Sequence, residues 1–222
     1  GLGACCLPQT TGMLAGMFSG ADNPSTPFSH DDLVQAAVAT RDYTVGSNDR
    51  EAVFAMLRDV NRNAQTPYAE ADETALAAAP DAYTLNPEAL SHLDDVHRVI
   101  AAAGVAFAAV ALAAVAFCVY LGIRAGKRAV GGALACAGIV VLAVFAALSA
   151  WVVVDFNGFF AAFHSLFFAD GTWTFSYESL LITMYPPAFW MGMGAVWLTV
   201  TGALSLIAAF TGTALRRRSL PR

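Results

Sequence analysis

Charged side chains are scarce in this chain of 222 residues, of which only 13% are Asp, Glu, Lys or Arg. Soluble domains carry roughly 25% charged residues, and the hydrophobic content of 57% lies above their usual range. This composition favours a membrane protein over a soluble domain. No predicted folded region carries a lysine- or arginine-rich patch, which argues against nucleic acid as a partner.

The positions of the four cysteines do not indicate a disulfide framework. Cys118 and Cys136 fall within apolar runs, where a thiol usually acts as a small hydrophobic side chain. Cys5 and Cys6 are adjacent, so they do not indicate a structural pair. The segment LGAC that ends at Cys5 resembles a lipobox. The apolar run continues past it, however, and therefore favours a membrane helix.

Long apolar runs predict an all-α polytopic membrane protein with four transmembrane helices. Residues 1–19 form the first predicted helix. A signal peptide is its alternative, but the segment that follows lacks an A-x-A cleavage pattern. The membrane core covers residues 99–215 and contains the other three predicted helices, 99–123, 129–154 and 188–215.

The polar segments predict how these helices are oriented. Arg124, Lys127 and Arg128 lie in a very short loop, and residues 216–222 form a basic tail. Short basic segments stay on the cytoplasmic side of a membrane. Both termini are therefore expected in the cytoplasm. The acidic, mostly helical region 20–98 and the interfacial loop 155–187 are expected outside, together with all four histidines.

Two histidines stand at positions where chemistry is conceivable. His92 begins the motif HLDDVHR and shares a predicted helix face with Asp95. It lies seven residues before Val99, where the apolar run starts, and therefore roughly 10 Å above that run. The alternative is a polar helix start, with Asp94 and Arg98 as an ordinary surface pair, and for His97 we prefer that interpretation.

The second histidine, His164, lies in the aromatic segment FHSLFFADGTW. Six phenylalanines within residues 156–168 predict a short interfacial or re-entrant helix. On such a helix Asn157, Phe160, His164 and Phe168 share one face. The alternative is interfacial anchoring, in which the imidazole reaches toward the membrane surface. Anchoring explains the aromatic residues but does not require a histidine.

Two imidazoles on one side of a membrane predict acid/base catalysis rather than metal chemistry or transport. A histidine titrates near neutral pH and can accept or donate a proton. A zinc site formed by His92, Asp95 and His164 ranks lower, since no H-x-x-x-H or H-E-x-x-H pair is present. No G-x-S-x-G motif supports a serine nucleophile. The predicted spans contain no internal charge, which argues against a channel or transporter.

Four segments resemble one family of bacterial membrane proteins. They are the RDY helix around residues 40–43, HLDDV, FHSLFFADGTW and LLITMYPPAFW. Together they resemble the four-span family that includes the lipoprotein intramolecular transacylase, Lit. In one departure, Ser179 stands where an acid is expected before LLI, with Glu178 one place earlier. The resemblance implies transfer of an sn-2 acyl chain from a diacylglyceryl-cysteine to its α-amino group, in a bacterial cell membrane and without a cofactor.

The resemblance also implies roles for particular residues. His92 and His164 would be base and acid in either order, and Asp95 or Asp155 would fix a tautomer. Arg41 or Tyr185 would stabilise the oxyanion. The expected acyl groove is lined by Phe160, Phe163, Phe167, Phe168 and Trp173. Both imidazoles must then lie within about 3–8 Å of a common point.

The expected partners follow from that reaction and from its alternative. The membrane lipid and a diacylated lipoprotein are the expected substrate partners, and the sequence predicts no oligomeric state. The alternative is a four-span scaffold or sensor without catalysis, whose acidic outer region binds a partner.

Overall fold

All regular structure in the computed structural model, which describes residues 2–218, is α-helical, as predicted. The described helices are α1 Leu2–Cys5, α2 Pro8–Phe18, α3 His30–Val45, α4 Arg50–Asn63, α5 Glu73–Ala77, α6 Pro87–Val154, α7 Phe156–Ser165, α8 Leu180–Met184 and α9 Pro187–Arg218. Side-chain caps start several of these helices at positions that the sequence indicates. Ser29 and Asp32 form a capping box at α3, and Asn86 accepts the Ala89 N–H at α6.

The helix α6 covers 68 residues but is broken once. Gly126 has φ 75° and ψ 178°, a conformation that residues with a Cβ rarely adopt. The break divides α6 into residues 87–125 and 127–154, and it falls in the basic segment that was predicted to be a short loop. The two predicted helices 99–123 and 129–154 therefore correspond to the two parts of α6.

Two helices, α6 and α9, are long and apolar enough to cross a membrane. Their apolar side chains are largely exposed, for example Phe107 at 68%, Leu112 at 73% and Phe210 at 74%. A soluble monomer does not leave apolar surface of this extent in water. The exposed apolar parts of these helices are therefore suited to contact with lipid.

The predicted transmembrane helix at residues 1–19 is not continuous. It is divided into α1 and α2, which are separated at Leu7, because Pro8 cannot donate a backbone hydrogen bond and takes the first position of a new helix. The 11 residues of α2 span about 16 Å, well short of a hydrocarbon core of about 30 Å. The four-span topology is therefore not confirmed, and Gly1 lies outside the described residues.

The described chain divides into two compact units. The first, here called the polar unit, consists of Leu2–Ala101 and His164–Val196. It has a buried hydrophobic core with contributions from every helix from α2 to α6 and from α8 and α9, including Leu33, Leu57, Leu76, Leu90, Met184 and Phe189. Fourteen of the 17 acids lie between Asp22 and Asp95, within this unit.

Buried polar contacts attach the end of α2 to the segment around α8 inside the polar unit. Gly20, at φ 77°, donates its N–H to the Thr183 carbonyl at 2.8 Å. The Ser19 hydroxyl donates to the Met184 carbonyl at 2.7 Å, and the Asn23 amide donates to the Thr183 hydroxyl. Buried polar groups that all have partners specify one arrangement of the chain. These bonds fix the segment that follows the aromatic loop.

The second unit, here called the apolar unit, contains Ala102–Phe163 and residues 197–218. Its helices approach each other closely at glycines. A Cβ on Gly212 would lie 2.5 Å from both the Gly131 carbonyl oxygen and the Ala135 nitrogen. A Cβ on Gly138 would lie 2.5 Å from the Ser205 carbonyl oxygen. Small residues at helix contacts are the usual means of association in membranes, where burial of apolar side chains gives little gain.

Candidate active site

His92 is a buried imidazole in the first turns of α6. Only 8% of the residue is exposed, and its ring packs against Phe168 and Phe175 at centroid distances of 4.8 and 5.6 Å. Its Nδ1 has no hydrogen-bond partner among the described residues. Most buried polar atoms have a partner, so this nitrogen is unusual.

The second histidine lies next to the first, and both belong to the polar unit. The ring centroids of His92 and His164 are 6.2 Å apart, and the rings stack with an interplanar angle of 27°. His164 also packs against Trp173 at 4.9 Å and Phe168 at 5.6 Å. Phe168 therefore contacts both imidazoles. The distance meets the geometric condition for a shared substrate, while the catalytic role of the pair stays a prediction.

The surroundings of His92 favour its neutral form. Burial is the main cause that lowers the pKa of His92 from the ordinary 6.5 to about 4. The His164 imidazole contributes in the same direction, whereas the Asp95 carboxylate opposes it. His92 lies outside the apolar run that begins at Val99. At neutral pH it is therefore an uncharged imidazole in an aromatic enclosure.

Asp95 influences His92 through space. Its carboxylate forms an ion pair with Arg98, three residues further along α6. It raises the pKa of His92 through its charge. Asp155, the other predicted orienting acid, lies in the apolar unit and accepts the Gly158 N–H at 2.8 Å, so it caps α7. The tautomer-fixing role of both acids stays a prediction.

A network around Asp94 holds the helix segment that carries His92. The Asp94 carboxylate accepts hydrogen bonds from the Tyr43 hydroxyl, the Asn48 amide and the Arg50 guanidinium. The expected surface pair of Asp94 with Arg98 is wrong, because Asp94 faces α3 and the start of α4 while Arg98 pairs with Asp95. Sequence spacing along one helix cannot reveal partners about 45–50 positions away. This network also connects the RDY and HLDDV motifs.

The two predicted oxyanion donors have other partners in the structure. The buried Tyr185 hydroxyl donates to the Ala37 carbonyl at 2.5 Å, and burial raises the pKa of Tyr185. The Arg41 guanidinium pairs with Asp42 at 2.5 Å. The Tyr185 proton is thus directed at α3. The role of both residues at an oxyanion stays a prediction.

The predicted groove residues fall in both units. Phe168 and Trp173 pack against His164 in the polar unit, and Phe167 packs against Phe168. Phe175, a neighbour of His92 in the same unit, was missed. Phe175 lies two residues beyond the quoted motif, and nothing in its spacing distinguishes it. Phe160 and Phe163 belong to the apolar unit. There Phe160 packs against Phe156 at 5.7 Å, and Phe163 is 45% exposed.

No group of three histidine, cysteine or acidic side chains within residues 2–218 is arranged to hold a metal ion. His92, Asp95 and His164 are thus not assembled as zinc ligands. Ser179, at the position where the resemblance implied an acid, caps α8 by accepting the Ile182 N–H.

The comparison with protein families gives a match for the region that contains this site. The model of the lipoprotein intramolecular transacylase Lit matches residues 47–190. The chain belongs to the Lit family. The Lit match includes both histidines, Asp94 and the complete aromatic segment, whereas Arg41 lies outside it. No curated protein and no solved structure matches the chain. Membership of the Lit family and the two long apolar helices make this a membrane protein.

Proposed function

We propose that this protein is an intramolecular transacylase acting on diacylglyceryl-cysteine lipoproteins, with His92 and His164 as its catalytic residues. The stacked imidazoles, 6.2 Å apart in an aromatic enclosure within the family match, carry this proposal. A purely structural role does not require two neighbouring imidazoles, of which the buried His92 has an Nδ1 without a partner among the described residues.

The proposed reaction moves one acyl chain within one molecule. The cysteine α-amino nitrogen attacks the sn-2 ester carbonyl, the new C–N bond forms, and the bond from that carbonyl to the glyceryl oxygen breaks. One proton leaves nitrogen and one arrives at the glyceryl oxygen, so the proton count balances. Donor and acceptor are already tethered, so positioning supplies much of the acceleration. A covalent acyl-enzyme is not required.

The proposed roles of the histidines follow from their surroundings. His92 is neutral at working pH and has an open nitrogen, so it accepts the proton of the attacking amine. His164 donates the proton to the leaving glyceryl oxygen. Two imidazolium ions at this distance repel each other strongly. The pair therefore holds one added proton at a time, so His164 gives its proton to the glyceryl oxygen as His92 takes the proton of the amine.

The aromatic neighbours suit an acyl substrate in a membrane. Phe168, Trp173 and Phe175 place apolar rings against the imidazoles. Under this proposal the protein crosses a bacterial cell membrane several times, with its basic C-terminal end in the cytoplasm. Regions 20–98 and 155–187 then lie on the outer side, where lipoproteins carry their lipid.

Replacing either imidazole tests the catalytic proposal. His92→Gln and His164→Gln keep a polar side chain but cannot exchange a proton at neutral pH. Each should lower the rate of lyso-form lipoprotein production by roughly 10²–10⁴-fold, the usual contribution of an acid or base. The measurement is mass spectrometry of lipoprotein N-termini in cells that make diacyl lipoproteins. His97→Gln is the matched control, because His97 on the same helix contacts the Thr44 carbonyl instead.

The outcomes separate catalysis from the alternative. Full activity in either variant removes that residue from the mechanism. Unchanged lipoproteins with the wild-type protein, at normal expression in the membrane, favour the scaffold or sensor whose acidic region binds a partner.

A further inference from the structure

A basic cleft lies at one end of the apolar unit, far in sequence from the histidine pair. It is lined by Arg128, Thr213, Arg216 and Arg217. The lining contains no acidic side chain, and within residues 2–218 none of these arginines forms an ion pair with a carboxylate. Three guanidinium groups in one cleft, with no carboxylate partner in the described part of the chain, favour an anion.

The helix contacts explain why these arginines converge. A Cβ on Gly131 would lie 2.6 Å from the Gly212 carbonyl oxygen and 3.0 Å from the Arg216 nitrogen. The start of the segment 127–154 is thus in backbone contact with the end of α9. This contact brings Arg128 to the same place as Arg216 and Arg217, although they are almost 90 residues apart in sequence.

An apolar groove continues from the basic cleft along the same two helices. The two share Thr213 and Arg217. The groove is otherwise lined by Ile139, Leu142, Leu206, Ala209, Phe210 and Ala214. The Thr213 hydroxyl donates to the Ala209 carbonyl, so the arginines supply the donors for an anion. A charged cleft joined to an apolar groove fits a molecule with a phosphate head and hydrocarbon chains.

We infer that this end of the apolar unit binds an anionic glycerophospholipid, with its phosphate in the arginine cleft and an acyl chain along the groove. Basic pockets between membrane helices bind such head groups. Bidentate hydrogen bonds from guanidinium suit phosphate oxygens. The lipid covers an exposed groove and neutralises three cations where α9 meets the segment 127–154. The inference does not depend on the transacylase activity.

Binding can be measured on the full-length protein in a neutral detergent. Native mass spectrometry would compare phosphatidylglycerol, phosphatidylcholine with the same chains, and inorganic phosphate. We expect phosphatidylglycerol to remain bound while the other two do not. The variant Arg128→Gln/Arg216→Gln should weaken its binding on the order of 30-fold, because each arginine near a head group contributes about a factor of five.

A matched control separates the cleft from a general basic surface. Arg124→Gln/Lys127→Gln also removes two positive charges, from positions close to Arg128 in sequence, without altering the cleft lining. It should retain the lipid. Equal loss in both variants, equal binding of the two phospholipids, or equal binding of inorganic phosphate would each overturn the inference. Unchanged elution and thermal midpoint would show that the variants remain folded.

Discussion

The two units of this protein are stabilised in opposite ways. The polar unit buries leucines such as Leu33 and Leu57 in a closed core, and buried polar groups such as the Ser19 hydroxyl are hydrogen-bonded within it. The apolar unit leaves Phe107 and Leu112 exposed and brings its helices together at glycines. In the first unit apolar side chains leave water. In the second, lipid surrounds the side chains and backbone contact holds the helices.

This difference explains where chemistry is possible. A proton transfer needs titratable groups held at fixed positions, and such groups need a packed, hydrogen-bonded framework. The polar unit supplies that framework through the contacts of Asp94 with Tyr43 and Arg50. The apolar unit carries exposed hydrocarbon and a basic end, which suit contact with lipids. Each unit can be tested by a change that should affect only its own type of packing.

The same leucine-to-alanine change should have different effects in the two units. Leu57 is fully buried in the core of the polar unit, so Leu57→Ala removes buried area and leaves a cavity. It should lower the unfolding free energy by about 2–5 kcal/mol. Leu112→Ala, in a lipid-facing position, should change it by less than about 0.5 kcal/mol. Thermal midpoints in a neutral detergent measure both effects.

This pair of variants can also contradict the assignment of the apolar unit. A large loss of stability in Leu112→Ala would mean that Leu112 packs against protein, such as a second copy of the chain. A small loss in Leu57→Ala would mean that the core of the polar unit is loosely packed.

The sequence predicts the apolar unit better than the polar one. Long apolar runs and basic turns indicate the helices of α6 and α9 directly, because each span depends on its own composition. The apolar composition of segment 1–19 also predicted a transmembrane helix, but Pro8 divides this segment. Its residues Thr11, Leu14 and Ala15 are buried within the polar unit. Composition alone cannot distinguish an apolar helix in lipid from one packed on protein.

Glycine contacts provide the corresponding test within the apolar unit. In Gly212→Ala the new methyl group would meet backbone atoms at 2.5 Å, so the helices must separate. The variant should lose about 1–3 kcal/mol of stability, as in overpacked cores. Gly104→Ala is the control, because nothing lies within 4 Å of its Cβ position. There the better helix propensity of alanine should leave stability unchanged or slightly higher.

The outcome of this test depends on whether close helix contact determines stability in lipid. Equal midpoints for the two glycine variants would show that the helices of the apolar unit move apart without loss. In that case the arginine cleft would also lose its structural basis, because it depends on the contact between Gly131 and the end of α9.

The candidate site was only partly predictable from the sequence. His92 and His164 were selected because imidazoles are unexpected beside apolar runs. The requirement that both reach one substrate then set the distance that catalysis needs. The distance of 6.2 Å itself depends on tertiary contacts. Phe175 and the Asp94 network were missed for the same reason, since their partners are distant in sequence. Local spacing specifies helix faces but not which faces meet.

The pH dependence of stability tests the burial of His92 in the polar unit. The pKa of His92 is about 4 in the folded protein and 6.5 in the unfolded chain, so the unfolded chain binds the proton first. The stability contributed by neutral His92 is fully present above pH 6.5 and is lost as the pH falls toward 4. Between pH 7 and pH 5 we expect a loss of about 1–2 kcal/mol in the free energy of unfolding.

Two histidine variants test this expectation. In His92→Gln this part of the pH dependence should disappear, whereas His97→Gln should keep it, and thermal midpoints at both pH values measure the difference. Parallel curves for wild type and His92→Gln would mean that His92 titrates as an exposed histidine, and the proposed neutral acceptor would then be wrong.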